Sequence, residues 1–173
     1  MPGRPEILWP LFGELKALQG VGPKTAKLFE KLGATRPRDL LFLAPHNVID
    51  RRPRASIAGI PPGEIATVEV EVTAHHPPRQ KGRPYRVAVR DAGAEFLITF
   101  FHARDDWVRR ALTMGQRRIV SGKTEIYDGV LQMTHPDHVM TAEEAAALPP
   151  FEPVYPLTAG LHQRIVAKAA QGA

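Results

Sequence analysis

The stretch His75-His-Pro-Pro-Arg-Gln-Lys-Gly-Arg-Pro-Tyr-Arg86 holds the side chains best suited to meeting a polyanion. Arg79, Lys81, Arg83 and Arg86 are basic, Arg90 follows, and no acid interrupts them. Cations of this kind follow a phosphate backbone while an aromatic ring stacks on a base, the combination that single strands and junctions require. The alternative is a solvated loop tip, with Tyr85 turned into a core beside Val87 and Val89. Tyr127 stands apart, in Tyr127-Asp-Gly129, where a tight turn leaves little core to fill. It reads either as a stacking ring or as packing on its own hairpin. Lys24 follows Gly20-Val-Gly22-Pro23. Two glycines permit a tight turn with free N–H groups at a helix start, a place that favours an anion. The alternative there is a plain helical hairpin with Val21 in its core. Arg51 and Arg52, in the basic connector His46–Arg54, are phosphate ligands or else partners of Asp50, and surface pairs of that kind contribute little.

Other chemistries find no support. The chain has no cysteine, which excludes disulfides, thiolate zinc sites and cysteine nucleophiles. His135-Pro-Asp-His138 has the closest spacing to a ligand pair, but Pro136 breaks any helix that would align it, and no third ligand is near. Gly122-Lys-Thr124 lacks the earlier glycine and the following helix of a phosphate-binding loop. No metal and no nucleotide cofactor is expected. The formal charge of +5 and pI near 9.8 lean towards polyanionic partners. No apolar run approaches the ~20 residues of a membrane span, and the start lacks a signal-peptide order. A cytoplasmic monomer is the default.

These side chains need elements to hold them. Glu64 to Thr73 alternates without a break, Val68, Val70 and Val72 on one face, which predicts a half-buried strand. Strands are expected at Tyr85–Arg90 and Glu95–Phe101, and a helix over Arg104–Leu112 with Trp107, Val108, Ala111 and Leu112 on its core face. Two more strands follow, near Arg117–Thr124 and Val130–His135, joined by an Asp-Gly hairpin. Gly122 suggests a bulge or barrel bend. Three strands, a helix and two strands match a five-stranded Greek-key OB barrel, with a small SH3-like barrel as the competing topology. In the OB arrangement the loops at 74–84 and 125–129 flank the usual binding face. The fold class is therefore mainly β with flanking helices.

Three parts are expected. Residues 1–55 hold helices at Leu11–Leu18, from Pro23 to Gly33 and at Arg36–Leu43, the first two forming a helix-hairpin-helix-like motif. Residues 56–140 form the barrel. Residues 141–173 hold a short acidic helix, a rigid proline-rich connector at Pro149–Pro156 and a last helix over Leu161–Ala170, capped by Thr158. That last helix has nothing after it to pack on, so the chain reads as cut rather than finished.

The ordered motifs resemble the start of RecG, the bacterial ATP-dependent DNA helicase. They are Leu18–Ala26, Asp39-Leu-Leu-Phe42, Pro45-His46, Ile49-Asp-Arg-Arg52, Val89-Arg-Asp91 and Thr99-Phe-Phe101. Gly115-Gln116, Ser121-Gly-Lys123, Gln132-Met133, His135-Pro136 and Glu152-Pro-Val-Tyr-Pro-Leu-Thr-Ala-Gly-Leu161 continue the series. The resemblance implies an OB-type wedge that engages stalled forks and Holliday junctions, in a family of repair and recombination helicases. It implies aromatic stacking at the branch point, for which Tyr127 matches by position. Arg79, Lys81, Arg83, Arg86, Arg90, Lys123, Arg51, Arg52 and Lys24 complete the expected DNA-contact set. Both ATPase domains are missing, so this chain should bind without hydrolysing. ATP and magnesium are expected only for the motor domains, which are its implied partners beside branched DNA. A structural or protein-interaction OB domain and an RNA-binding barrel remain the alternatives.

Overall fold

The computed structural model describes residues 5–80 and 82–173. Two 3-10 turns, Glu6–Phe12 and Leu15–Ala17, precede helices α1 (Pro23–Glu30) and α2 (Pro37–Leu41). Strands β1 (Asn47–Asp50), β2 (Pro53–Arg54), β3 (Ile65–His76), β4 (Tyr85–Arg90) and β5 (Glu95–Phe100) lead to helix α3 (Asp105–Ala111). Then come β6 (Arg117–Tyr127), β7 (Val130–Thr134), β8 (His138–Met140), helix α4 (Ala142–Ala146), β9 (Phe151–Val154) and helix α5 (Gln163–Gln171). The chain divides into two compact units: Asp50–Glu152, and a helical unit that runs to Ile49 and resumes at Pro153. This differs from the three-part expectation, because the C-terminal segment shares a core with the N-terminal helices.

In the helical unit, Leu15, Val21, Phe29, Ala34 and Leu40 bury together with Leu161, Val166 and Ala169. Pro23 opens α1 at its first turn, where a missing N–H costs nothing. Gly33 takes φ +83° just beyond α1, and the Ala34 N–H returns to the Phe29 carbonyl at 3.0 Å. The expected helix over Leu11–Leu18 does not form. Gly13 closes the first 3-10 turn and Glu14 is extended, so the segment breaks into two short turns. The expectation for the last helix is also corrected. His162, not Thr158, occupies its N-cap, and no side chain caps it. It does have a surface to pack on, since Val166 and Ala169 are buried, the valine side chain contributing roughly 1.5–3 kcal/mol. The expected connector at Pro149–Pro156 contains β9, which pairs with β1 in a separate two-stranded sheet.

The unit Asp50–Glu152 is a closed five-stranded OB barrel. Its order is β3-β4-β5-β7-β6, and β6 pairs back to β3. Every pairing around the ring is antiparallel except β5 with β7. That one parallel pair, reached through α3, sets the OB topology apart from the SH3-like alternative. Val68, Val70, Val72, Val87, Val89, Ile98 and Val120 point inward, as their period of two requires. The register shift lies between Val72 and Ala74 on β3, not at Gly122. Gly122 is needed for a different reason: a Cβ there would sit 2.8 Å from Pro136 Cα and 2.9 Å from the Met133 sulfur. Val108 on α3 and Leu112 at its C-cap are buried, while Trp107 is half-exposed and packs edge-to-face with Phe100. Its expected place in the core is thus only partly realised.

Candidate nucleic-acid interface

The β3–β4 loop and the β6–β7 hairpin flank one face of the barrel. Between them runs a groove lined by Arg83, Pro84, Arg86, Thr99, Phe101, Tyr127 and Gln132. It continues past Leu97, Asp128 and Val130, again with Arg86, Tyr127 and Gln132 in its wall. The floor is built by register. Arg86 lies opposite Thr99 across β4–β5, and Leu97 lies opposite Gln132 across β5–β7. Thr99 Oγ1 donates to Gln132 Oε1 at 3.1 Å, which fixes the amide in the floor.

Two rings face this groove. Tyr127 is 64% exposed at the end of β6, because Asp128 and Gly129 take φ +52° and +74° and turn the chain back within two residues. Phe101 is 44% exposed, just past the end of β5. Its N–H donates to His135 Nε2 at 2.9 Å, and the two rings lie 5.9 Å apart. His135 therefore acts here as a backbone anchor, itself held by its N–H on the Thr99 carbonyl. Apolar patterning alone predicts Phe101 as the last residue of a strand and assigns it no role. A signal was available: in Phe100-Phe101 the two rings must face opposite ways, and Phe100 is the buried one.

Tyr85 takes no part in the groove. It is buried, and its hydroxyl lies 3.0 Å from His75 Nδ1. His75 Nε2 lies 2.7 Å from the Leu112 carbonyl, which can only accept, so the proton sits on Nε2 and the tyrosine donates to Nδ1. Burial pushes the Tyr85 phenol above its ordinary value.

The expected contact residues separate. Arg79, Arg83 and Arg86 line a second hollow on the β3–β4 loop with His76, Pro77 and Pro78. Lys81 lies outside the described residues. Arg90 is exposed but ion-paired to Glu95 at 2.6 Å. Lys123 lies elsewhere, opposite Ile65 in the β3–β6 ladder and beside Gly63. Arg52 is held by Asp50, at 2.7 Å, and lies 5.1 Å over the Phe151 ring. Hydrogen bonds from Arg52 keep the Asp50 carboxyl well below the usual carboxylate range. Lys24 is exposed in the first turn of α1.

Arg51 is corrected. It is only 4% exposed, and its guanidinium reaches Asp137 at 2.8 Å, Glu152 at 2.7 Å and Ser121 Oγ at 2.9 Å. A side chain so enclosed ties Ser121, Asp137 and Glu152 together within the barrel unit and is not free to meet a phosphate.

Among the described residues no group of three His, Asp or Glu side chains is placed to hold a metal ion. Among them, too, no helix is long and apolar enough to cross a membrane.

The sequence profile of the RecG wedge domain matches residues 14–172. The chain is 26% identical to the ATP-dependent DNA helicase RecG of Thermotoga maritima over 160 residues, 90% of this chain and 20% of the relative. It is 28% identical to that of Acidithiobacillus ferridurans over 163 residues, 88% of this chain and 22% of the relative. The chain thus spans about a fifth of the length of these curated relatives. A solved structure described as RecG bound to a three-way DNA junction superposes with a TM-score of 0.72 at 22% identity, covering 91% of this chain and 22% of that one. At that identity the likeness establishes a shared fold.

Proposed function

The chain belongs to the RecG wedge domain family, and we propose on that premise that it binds branched DNA through the groove between the β3–β4 loop and the β6–β7 hairpin. The observation that carries the reading is one groove in which Arg83 and Arg86 meet the exposed rings of Phe101 and Tyr127. The cations neutralise phosphates, and the rings receive bases that are unstacked only where strands part. Linear duplex offers no such base, so the groove favours forks and four-way junctions over duplex. The chain works as the DNA-engaging part of a RecG-like repair and recombination helicase. Hydrolysis of ATP with magnesium belongs to motor domains elsewhere in the longer protein. Within this reading it acts in the cytoplasm as a monomer.

Competition binding with a fork, linear duplex, single-stranded DNA and structured RNA of matched length and salt tests the proposal. The fork should win. Equal affinity for fork and duplex would sink it, and a preference for RNA, or no nucleic-acid binding at all, would favour an RNA-binding or protein-binding barrel. Tyr127→Ala should cost about 1–3 kcal/mol on the fork and little on duplex.

A further inference from the structure

The basic excess of this chain is not on the barrel. Residues 50–152 hold 14 Lys and Arg and 14 Asp and Glu, so the formal excess of +5 falls entirely on residues 1–49 and 153–173, with 9 Lys and Arg against 4 Asp and Glu. The groove cations are thus local features of a neutral unit, and the helical unit is the one with net attraction for a polyanion.

Part of that excess is ordered in a stripe. Lys24, Lys27 and Lys31 are exposed and recur at i, i+3 and i+7 along α1 and its C-cap, within one narrow arc of the helix. The opposite side of the helix buries Phe29 in the unit's core. Among the described residues none of the three lysines is in an ion pair, whereas Lys16 is held by Glu14 at 2.7 Å. Glu30 flanks the stripe, and Lys27 shares a cleft with Lys16, Arg36, Glu14 and Glu30, so the free charge is concentrated at Lys24 and Lys31 with Lys27 between. The stripe begins at the Gly20-Val-Gly22 turn, where Gly20 takes φ +84° and Gly22 caps the helix without a side chain. The first N–H groups of α1 are therefore left uncovered at the same end as Lys24.

We infer that this lysine stripe is a second DNA-contacting surface, which grips the backbone of duplex DNA without regard to sequence. It rests on the reading of the chain as a DNA-binding wedge and adds to it a contact with double-stranded arms rather than with the branch. Duplex is the favoured occupant for two reasons. The stripe has no aromatic ring within it for stacking, and its rise of about 10 Å over seven residues spans roughly three phosphate steps along one strand of a duplex.

The test is the salt dependence of binding by the full chain carrying Lys24→Gln, Lys27→Gln and Lys31→Gln together. On linear duplex and on a three-way junction alike, the slope of log K against log salt should flatten by about 0.9 for each phosphate no longer neutralised, up to about 2.7. The ratio of junction to duplex affinity should stay at the parent value. The triple Lys→Arg variant should keep the parent slope, since charge is retained. An unchanged slope in the Gln variant, with an unchanged melting curve, overturns the inference. So does loss of binding to poly-glutamate without loss of binding to duplex, which would make the stripe a protein contact. Should the triple variant melt early, the three single Gln substitutions carry the same test at a third of the effect. Failure is separable from failure of the groove reading. Parental fork preference in Tyr127→Ala sinks the groove alone, and a parental salt slope in the lysine variant sinks the stripe alone.

Discussion

Arg51 shows how far a residue's type can mislead about its role. In sequence it is one of three arginines in a basic connector; in the fold it is the buried partner of Asp137, Glu152 and Ser121. Arg51→Ala should destabilise the barrel by roughly 2–4 kcal/mol in urea denaturation, less than a fully buried pair because both carboxylates stay partly in water. Its salt slope for DNA binding should match the parent's, and a flattened slope would return Arg51 to the phosphate ligands. Asp91 is a second residue of this kind. Burial pushes its carboxyl up, but N–H groups of Gly93, Ile57 and Ala94 and the Ser56 hydroxyl all donate to it, and the net effect is a lowered pKa. A carboxylate with a depressed folded pKa contributes stability above its unfolded pKa and loses it as pH falls through the folded one. The stability gap between parent and Asp91→Asn should therefore be steady near neutral pH and shrink below about pH 4. A gap that is constant down to about pH 2 would contradict the assignment.

At the scale of elements, the barrel face depends on a hairpin and a glycine. The two-residue turn at Asp128-Gly129 is why Tyr127 ends β6 pointing out of the core, and Gly122 is why the chain at Pro136 can cross close over β6. Gly122→Ala should cost about 1–3 kcal/mol through overpacking against Pro136 backbone, which cannot swing aside as a side chain would. A melting temperature equal to the parent's would show that β6 and the Pro136 segment can separate without cost. The β4 edge of the groove makes the complementary prediction. Arg83→Ala with Arg86→Ala should lower affinity for fork and duplex together and flatten the salt slope by up to about 1.8. Tyr127→Ala should leave that slope unchanged, since a ring carries no counterion-releasing charge.

For the whole molecule, the helical unit and the barrel differ in charge: net positive in the one, balanced in the other. No stretch of the sequence reads as a phosphate-binding loop for nucleotide, so the purified chain should show no DNA-stimulated ATP hydrolysis above a contaminant control. Turnover that survives further purification would overturn the assignment of hydrolysis to motor domains elsewhere.

The sequence alone determined the barrel strands, because residues facing a core alternate with a period of two and Val68, Val70, Val72, Val87 and Val89 print that period plainly. It also determined the tight turn that exposes Tyr127 and the proline that opens α1, since both depend on local backbone preferences. Tertiary structure alone decided what depends on residues distant in the chain. The last helix found its partners in Phe29 and Leu40, more than a hundred residues earlier, and no local pattern names a distant core. Arg51 became internal because Asp137 and Glu152 converge on it from the other end of the barrel unit. Phe101 came to face the groove because β5 ends at Phe100 and His135 holds the next N–H. Periodicity reports which side of an element is wet; only the closed fold reports which wet sides face one another.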